Sequence, residues 1–319
     1  MQVIDAKTVH ESLNFPRLIS ELKDTFSKPA GMPQRQVFNL DEGTSHSDAF
    51  AVLPSWNDKT IAVKAFTYFP SNPSKDCELE SLYSKIMIFD RKTGVPQALV
   101  DGTSVTYWRT AAISALGSDF LARKDACKLL VFGTGRLASF MALAHASVRP
   151  INEISIWGRD PNKAQKVVET IKLLKPNIKV TVCDDIERTV KQADIISCAT
   201  GSPSPLFNSD WVQAGTHTDF VGNHNHDRRE CDTKLVLKAS VYVDSKVNVF
   251  AEAGEILIPI SEGVYSTDSV IGELAQLCNG QIPGRRSDEE ITLFKTVGTA
   301  LADLVGAQLV YSQLKAKSE

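Results

Sequence analysis

The residues with the clearest chemical meaning are the glycines of segment 133–138, which follow the pattern G-x-G-x-x-A. An apolar run of strand character, 129–132, precedes this segment, and a stretch of helix-forming composition, 139–146, follows it. In this order the glycines allow a tight turn and let a pyrophosphate approach the backbone at a helix N-terminus. The pattern therefore predicts a dinucleotide-binding loop rather than a plain structural turn. The predicted loop residues are Gly133, Thr134, Gly135, Arg136, Leu137 and Ala138.

The end of the second predicted strand bears on the choice of cofactor. NAD-specific folds place an Asp or Glu there to hold the ribose 2′-hydroxyl, whereas this strand ends in Trp157, Gly158 and Arg159. The guanidinium of Arg159 suits a 2′-phosphate through charge-assisted, bidentate bonds, and a solvated loop arginine is the alternative. The sequence thus favours NADPH, with NADH as the second choice. Asp160 precedes a helix that opens at Pro161, which is typical of an N-cap.

Three basic residues lie in contexts that suit an anionic ligand. Lys64 is the only charge in the strand-like run IAVKAFTYF, where burial is costly unless the ammonium is paired or faces a polar cleft. An edge strand with this lysine in water is the alternative. Arg109 has small apolar neighbours in a predicted helix, and Arg35 is a third candidate of the same kind. Each arginine suits a carboxylate ligand if it is buried and is unremarkable on the surface.

The loop sequence GNHNHDRRE, at 222–230, follows a predicted strand of the α/β region. Loops at the carboxyl edge of such a sheet bind ligands. His224 or His226 could therefore serve as a proton donor near neutral pH, and surface polar residues are the alternative.

Composition limits the class of protein. The 319 residues suggest about two domains, and a net charge of −3 gives no indication of nucleic acid or of an anionic membrane surface. The N-terminus lacks the pattern of a signal peptide, and no apolar run is long enough to span a bilayer. The six cysteines, Cys77 among them, have no paired or zinc-type spacing. We therefore expect no metal site, and we expect reduced thiols in a cytoplasmic protein.

The first third of the chain is rich in predicted strands. Residues 1–30 predict a short strand and then a helix with Leu18, Leu22 and Phe26 on one face. The next predicted strands span 49–54, 61–70, 84–90 and 97–100. A long helix over 106–121 follows them. Strands and helices do not alternate in this region.

From residue 125 strands and helices alternate, which predicts a parallel, doubly wound sheet. Late strands are predicted over 212–221 and 241–244. The chain closes with a predicted helix over 291–315, which has Gly298 in its first half and returns to the first region. The predicted fold class is α/β, with a Rossmann-type domain beside a sheet-rich α+β domain.

Together these residues resemble the ornithine cyclodeaminase/mu-crystallin family over nearly the whole chain. The similar segments are Lys64, 69–70 with Asn72, 106–112, 133–138, 193–196 with Thr200, 215–217 with 221–222, 229–230 with Asp232, and 287–298. The resemblance implies a homodimer of two-domain subunits. Residues 1–122 plus 299–319 would form the substrate-binding and dimerisation domain, and 123–298 the Rossmann dinucleotide-binding domain.

The resemblance also assigns roles to the basic residues and the loops. Arg35, Lys64 and Arg109 would hold a substrate carboxylate opposite the nicotinamide. Residues of three further loops would join the glycine loop and Arg159 in binding the cofactor. These residues are Thr200, Val221 and Gly298.

Two departures separate the chain from the cyclodeaminase branch of the family. That branch has a catalytic Asp where this chain has His224, and a Glu where it has Ala51. Without these acids, the second amino group of ornithine would lack its anchor and its base. The pattern is closer to the reductases of the family, which reduce cyclic imines.

The resemblance therefore predicts an NAD(P)H-dependent imine reductase acting on an imino acid. Its expected substrate is Δ1-pyrroline-2-carboxylate, giving L-proline, with Δ1-piperideine-2-carboxylate to L-pipecolate as a second reaction. A protonated C=N accepts hydride better than a neutral one, so Lys64, His224 or water must supply a proton. An ornithine cyclodeaminase with recycled NAD, an alanine-type amino-acid dehydrogenase and a non-catalytic NADPH-binding crystallin-like protein are the alternatives.

Overall fold

The structure, a computed structural model, describes residues 1–40, 48–76 and 79–318. The chain divides into two units, one formed by Met1–Arg109 with the segment from Thr299 to the C-terminus, the other by Thr110–Gly298. The strands are β1 (Gln2–Ile4), β2 (Gln36–Asn39), β3 (Ala49–Trp56), β4 (Thr60–Tyr68), β5 (Leu82–Asp90), β6 (Pro96–Asp101), β7 (Lys128–Phe132), β8 (Glu153–Trp157), β9 (Lys179–Val182), β10 (Ile195–Cys198), β11 (His217–Phe220), β12 (Ser240–Val243), β13 (Gly272–Glu273) and β14 (Thr292–Lys295). The helices are α1 (Ala6–Ser12), α2 (Phe15–Phe26), α3 (Asn72–Lys75), α4 (Gly102–Leu121), α5 (Leu137–Val148), α6 (Pro161–Leu174), α7 (Ile186–Gln192), α8 (Thr233–Lys238), α9 (Lys246–Glu252), α10 (Gly254–Ser261), α11 (Leu274–Cys278) and α12 (Ala300–Ser318).

The first unit is built on a six-stranded sheet in the order β1-β6-β5-β4-β3-β2. Its neighbouring strands are antiparallel except for the parallel pair β1 and β6. Side chains alternate between buried and more exposed along β3, β4 and β5, because successive residues of a strand point to opposite faces. The buried face packs against α12, and Ser55 on β3 donates a hydrogen bond to the Ala300 carbonyl at the start of that helix, at 3.0 Å.

The second unit is built on an eight-stranded sheet in the order β13-β12-β14-β11-β10-β7-β8-β9, with parallel neighbours throughout. From β7 the chain runs outward through β8 and β9. From β10 it runs in the opposite direction through β11 to β12 and β13, and the last strand, β14, lies between β11 and β12. The strand order therefore reverses between β7 and β10, and ligands of such sheets bind at the carboxyl ends of the strands there. The predicted fold class, with a Rossmann-type sheet and a second sheet-rich unit, is confirmed.

The predicted closing helix over 291–315 is wrong in its first part. Thr292–Lys295 is a strand, β14, which lies between β11 and β12 with all four residues buried. A strand buried on both faces shows no alternation, so its short apolar run resembles the first turn of a helix. Gly298 has a φ of +88° and precedes α12, which begins at Ala300.

The strand predicted over 212–221 is too long. Only His217–Phe220 is a strand, because the chain turns at Gly215, which has a φ of +83°.

Two general predictions concern the described residues. Five cysteines there are free thiols, while Cys77 lies outside the described ranges. Among the helices of residues 1–40, 48–76 and 79–318, none combines the length and the apolar character needed to cross a membrane.

Candidate active site

Lys64 is buried on the central strand β4 and is 2% exposed. Its cross-strand neighbours are Leu53 and Ile86, so its surroundings on the sheet are apolar. The ammonium donates hydrogen bonds to Thr106 Oγ1 at 2.5 Å and to Asp303 Oδ1 at 2.9 Å. These two partners compensate for the lost hydration. An edge-strand lysine pointing to water is therefore excluded.

Asp303 is the residue of this site that the sequence reasoning missed. It lies in the first turn of α12 and is 1% exposed. Its Oδ1 also accepts a hydrogen bond from Arg109 Nε at 3.0 Å, so one oxygen joins two cations. The available signal was the same as for Lys64, since Asp303 is the only charge in the apolar run ALADLVGAQLV.

The second carboxylate oxygen of Asp303 is also buried. Within the described part of the chain, Asp303 Oδ2 has no hydrogen-bond partner. Leaving such an atom unsatisfied costs about 1–3 kcal/mol, and exceptions of this kind often have a functional reason.

Helix α4 supplies the other two polar groups of the site. Thr106 and Arg109 are three residues apart, so they lie on the same side of the helix. Asp101 fixes the helix start, because its Oδ1 accepts a hydrogen bond from the Ser104 backbone at 2.9 Å. The Thr106 hydroxyl donates to the Gly102 carbonyl at 2.7 Å, which leaves its oxygen to accept from Lys64.

The surroundings change the ionisation of Lys64. Burial lowers its pKa to about 8, and the charges of Arg109 and Arg35 lower it as well, whereas Asp303 acts in the opposite direction. Arg35, half-buried just before β2, is thus within electrostatic range of the ammonium. Lys64 and Arg109 share the one carboxylate of Asp303, so these three groups together carry a net positive charge. The cluster can attract an anion, and Lys64 can exchange its proton near neutral pH.

The glycine loop of the second unit fits a pyrophosphate. Gly133 has a φ of +134°, and a Cβ at this position would lie 2.8 Å from the Ala199 carbonyl oxygen. A Cβ at Gly135 would meet nothing within 4 Å, so the backbone there is open to a ligand. Helix α5 begins at Leu137, and Arg136 at its N-cap makes no side-chain capping bond. The backbone N–H groups of this turn therefore suit an anionic ligand.

The end of β8 has little room for the acid of NAD-specific folds. A Cβ at Gly158 would lie 2.3 Å from Thr134 Cγ2, so a side chain there would have to displace the Thr134 side chain of the glycine loop. Arg159 follows as an exposed residue. Asp160 caps α6 by accepting a hydrogen bond from the Asn162 backbone at 2.9 Å, which confirms the predicted N-cap.

The other predicted cofactor residues follow strands of the same sheet. Thr200 comes after β10, and the Val221 backbone, after β11, donates to the Cys198 carbonyl at 2.9 Å. Both therefore lie at the carboxyl edge that the glycine loop also occupies. Gly298 follows β14 and donates its backbone N–H to Asp244 Oδ2 at 2.8 Å.

His224 and His226 are exposed in the loop after β11, without the buried surroundings of Lys64.

A doubly wound parallel sheet with a glycine loop at its switch point defines a dinucleotide-binding protein. The sequence profile of the ornithine cyclodeaminase/mu-crystallin family matches residues 2–318. The chain therefore belongs to that family.

Relatives and solved structures agree with this assignment. A Δ1-pyrroline-2-carboxylate reductase of Colwellia psychrerythraea is 51% identical over 315 residues, which cover 98% of this chain and 99% of the relative. The structure of the Thermococcus litoralis Δ1-pyrroline-2-carboxylate reductase, in complex with NADH and L-proline, has a TM-score of 0.94 at 30% identity and covers 100% of this chain and 98% of that chain. An archaeal alanine dehydrogenase dimer with bound NAD has a TM-score of 0.91 at 25% identity, with coverages of 100% and 97%.

Proposed function

We propose that this protein is an NAD(P)H-dependent oxidoreductase of C=N bonds that reduces Δ1-pyrroline-2-carboxylate to L-proline. The six-membered Δ1-piperideine-2-carboxylate, giving L-pipecolate, is the second expected substrate. The observation that carries the proposal is the buried cluster of Lys64, Asp303 and Arg109, whose net positive charge suits a small carboxylate. The similarity to reductases with this activity, over nearly the full length of both chains, supports the same conclusion.

Arg109 and Arg35 bind the substrate carboxylate in this proposal. The terminal nitrogens of a guanidinium match the two oxygens of a carboxylate and form short, charge-assisted hydrogen bonds with them. The Nε bond to Asp303 orients the Arg109 side chain before substrate arrives. Such preorganisation reduces the entropic cost of binding.

Lys64 controls the proton that the reaction consumes. When bound, the reduced nicotinamide supplies hydride to the imine carbon that bears the carboxylate. The imine nitrogen must gain one proton, because an iminium is a far better hydride acceptor than a neutral imine. The Lys64 ammonium, with a pKa of about 8, gives its proton to this nitrogen and regains one from water. Asp303 and Thr106 keep the amine in place during the transfer.

The surroundings of Ala51 argue against a cyclodeaminase. Ala51 is fully buried on β3 and belongs to an apolar cluster with Leu53 and Ala300, against which Phe66 packs. Such surroundings would leave the second amino group of ornithine without a partner.

The assay for this proposal follows the absorbance of the reduced cofactor. Oxidation of NADPH or NADH is expected on addition of Δ1-pyrroline-2-carboxylate, with L-proline as the product. Ornithine should release no ammonia, and pyruvate with ammonia should give much slower oxidation. Absence of oxidation with both cyclic imino acids and both cofactors would refute the reductase activity.

The NADPH preference rests on Arg159. Replacing it with Ala should raise the KM for NADPH by about tenfold and leave the KM for NADH unchanged, because only NADPH has the 2′-phosphate. Arg188→Ala, at an exposed site on α7, is the matched control. Equal changes in the KM values for NADPH and NADH would show that Arg159 does not bind the 2′-phosphate.

We also propose that two copies pair through the face of the first sheet opposite α12. The side chains on this face include Phe50, Val63 and Met87, which are half-buried or exposed within the first unit. A continuous apolar face of this kind typically marks an interface. The similarity to an alanine dehydrogenase described as a dimer supports a second copy as the occupant.

The dimer proposal is tested by placing a charge on this face. Met87→Lys, directly opposite Val63 in the β4–β5 pair, should convert a dimer into a monomer in light scattering or sedimentation. Val247→Lys, at a site 64% exposed in the second unit, should leave the mass unchanged. A monomeric wild-type protein would contradict the proposed interface. So would a Met87→Lys variant that dimerises with the wild-type dissociation constant.

A further inference from the structure

Three buried charged residues of the second unit form a network that contacts the loops after β10 and β11. Glu230, Glu255 and Lys295 are each 0% exposed. Burying three charges in a protein interior is costly unless they are paired and hydrogen-bonded. The reductase chemistry described above uses none of them directly.

Glu230 joins two loops through both of its oxygens. Its Oε1 accepts hydrogen bonds from the Thr200 backbone N–H at 2.7 Å and from the Thr200 hydroxyl at 2.8 Å. Its Oε2 accepts from the Gly222 backbone N–H at 2.8 Å. The two loops meet closely, since a Cβ at Gly222 would lie 1.9 Å from the Thr200 carbonyl oxygen. One carboxylate therefore sets the position of both loops.

Glu255 accepts a hydrogen bond from the Glu230 backbone, and Lys295 pairs with Glu255. Glu255 Oε1 accepts a hydrogen bond from the Glu230 backbone N–H at 3.0 Å, and its Oε2 lies 2.9 Å from Lys295 Nζ. Lys295, the last residue of β14, also donates to the Asn223 carbonyl at 2.7 Å. Asn223 in turn donates from its amide to the Ser202 carbonyl at 2.6 Å. The network thus connects the loops after β10 and β11 with the end of β14.

We infer that Glu230, supported by Glu255 and Lys295, is a positioning residue that holds the loops after β10 and β11 in the form that receives the nicotinamide half of the cofactor. In a doubly wound sheet, the half with the glycine loop takes the adenosine part, and the half with β10 and β11 takes the nicotinamide part. The inference rests on the proposed dinucleotide site. It extends that site to a buried carboxylate that does not itself touch the cofactor.

The ionisation of Glu230 gives this role a pH dependence. Burial raises its pKa to about 7, the nearby Glu255 raises it too, and Lys295 and the Thr200 hydrogen bonds lower it. The buried thiols of Cys198 and Cys231 also lie near it, and burial raises both of their pKa values, so they stay neutral at pH 7. Only the carboxylate form accepts all three loop bonds. Cofactor affinity should therefore weaken as the pH falls through about 7.

Glu230→Gln tests the inference, because an amide keeps the volume but places a donor against a donor in either orientation. The dissociation constant for the reduced cofactor, measured by its fluorescence, should rise about tenfold. The constant for ADP, which has only the adenosine half, should stay within twofold. The pH step in cofactor affinity near 7 should disappear. Glu262→Gln, at an exposed site beside Arg229, is the matched control.

The outcomes separate this inference from the proposed function. If the wild-type protein turns over but Glu230→Gln keeps its cofactor affinity and its pH step, the inference is overturned and the proposed function is not. Equal weakening of cofactor and ADP, with a lowered melting temperature, would show a merely structural role and would also overturn it. Failure of the wild-type protein to bind either reduced cofactor would refute the dinucleotide site itself.

Discussion

Replacing Lys64 with Met should lower kcat/KM for Δ1-pyrroline-2-carboxylate by about 10³-fold or more, because the variant loses both a cation for the carboxylate and the proton donor. Methionine is apolar and of similar length, so it suits the buried position between Leu53 and Ile86 on the sheet. Asp303 keeps its hydrogen bond with Arg109 in this variant. The affinity for the reduced cofactor should not change, since Lys64 belongs to the other unit.

Steady-state kinetics and a fluorescence titration of the cofactor check this prediction. Lys59→Met, at the exposed turn between β3 and β4, is the matched control and should keep wild-type kinetics. A Lys64→Met variant with kcat/KM within threefold of wild type would remove Lys64 from the proposed mechanism.

Replacing Asp303 with Asn should lower kcat/KM by about 10²-fold and move its pH profile. In the proposed mechanism activity requires the Lys64 ammonium, whose pKa is about 8, so wild-type kcat/KM should fall as the pH rises through about 8. The charge of Asp303 raises the Lys64 pKa, and a neutral amide no longer does so. The fall in activity should therefore begin at a lower pH in Asp303→Asn.

The pH profile of kcat/KM distinguishes an effect of Asp303 on the Lys64 pKa from a loss of folding. Removing one partner of a buried charge cluster also destabilises a protein, so thermal unfolding is measured in parallel and kinetics are read well below the transition. Asp268→Asn, at an exposed site of the second unit, is the control. If kcat/KM falls but the midpoint of its pH profile stays at the wild-type value, Asp303 does not raise the Lys64 pKa.

Local patterns predicted much of the fold. The strand, glycine turn and helix around Gly133 and Gly135 were predictable because only glycine permits a φ of +134° and an open backbone at such a turn. Lys64 stood out because one charge in an apolar strand must be paired or hydrated. These signals depend on a few consecutive residues, so the sequence contains them directly.

Pairing across the chain could not be predicted in the same way. Asp303 lies 239 residues from its partner Lys64, and nothing near either residue specifies the other. The same holds for Glu230, Glu255 and Lys295, which come from different elements of the second unit. Strand β14 was missed because a strand buried on both faces has no alternation. The role of His224 remains a prediction, and its exposed position favours Lys64 as the proton donor.

The requirement for a carboxylate is the most direct test of the proposed anion site, the buried cluster of Lys64, Asp303 and Arg109 with Arg35 in electrostatic range. Cofactor oxidation is measured with Δ1-pyrroline-2-carboxylate and, in parallel, with Δ1-pyrroline, which has the same ring and imine but no carboxylate. We expect kcat/KM to be at least about 10³-fold higher for the carboxylate, because two or three charge-assisted contacts depend on it. Equal kcat/KM values for the two imines would contradict the proposed role of the cluster.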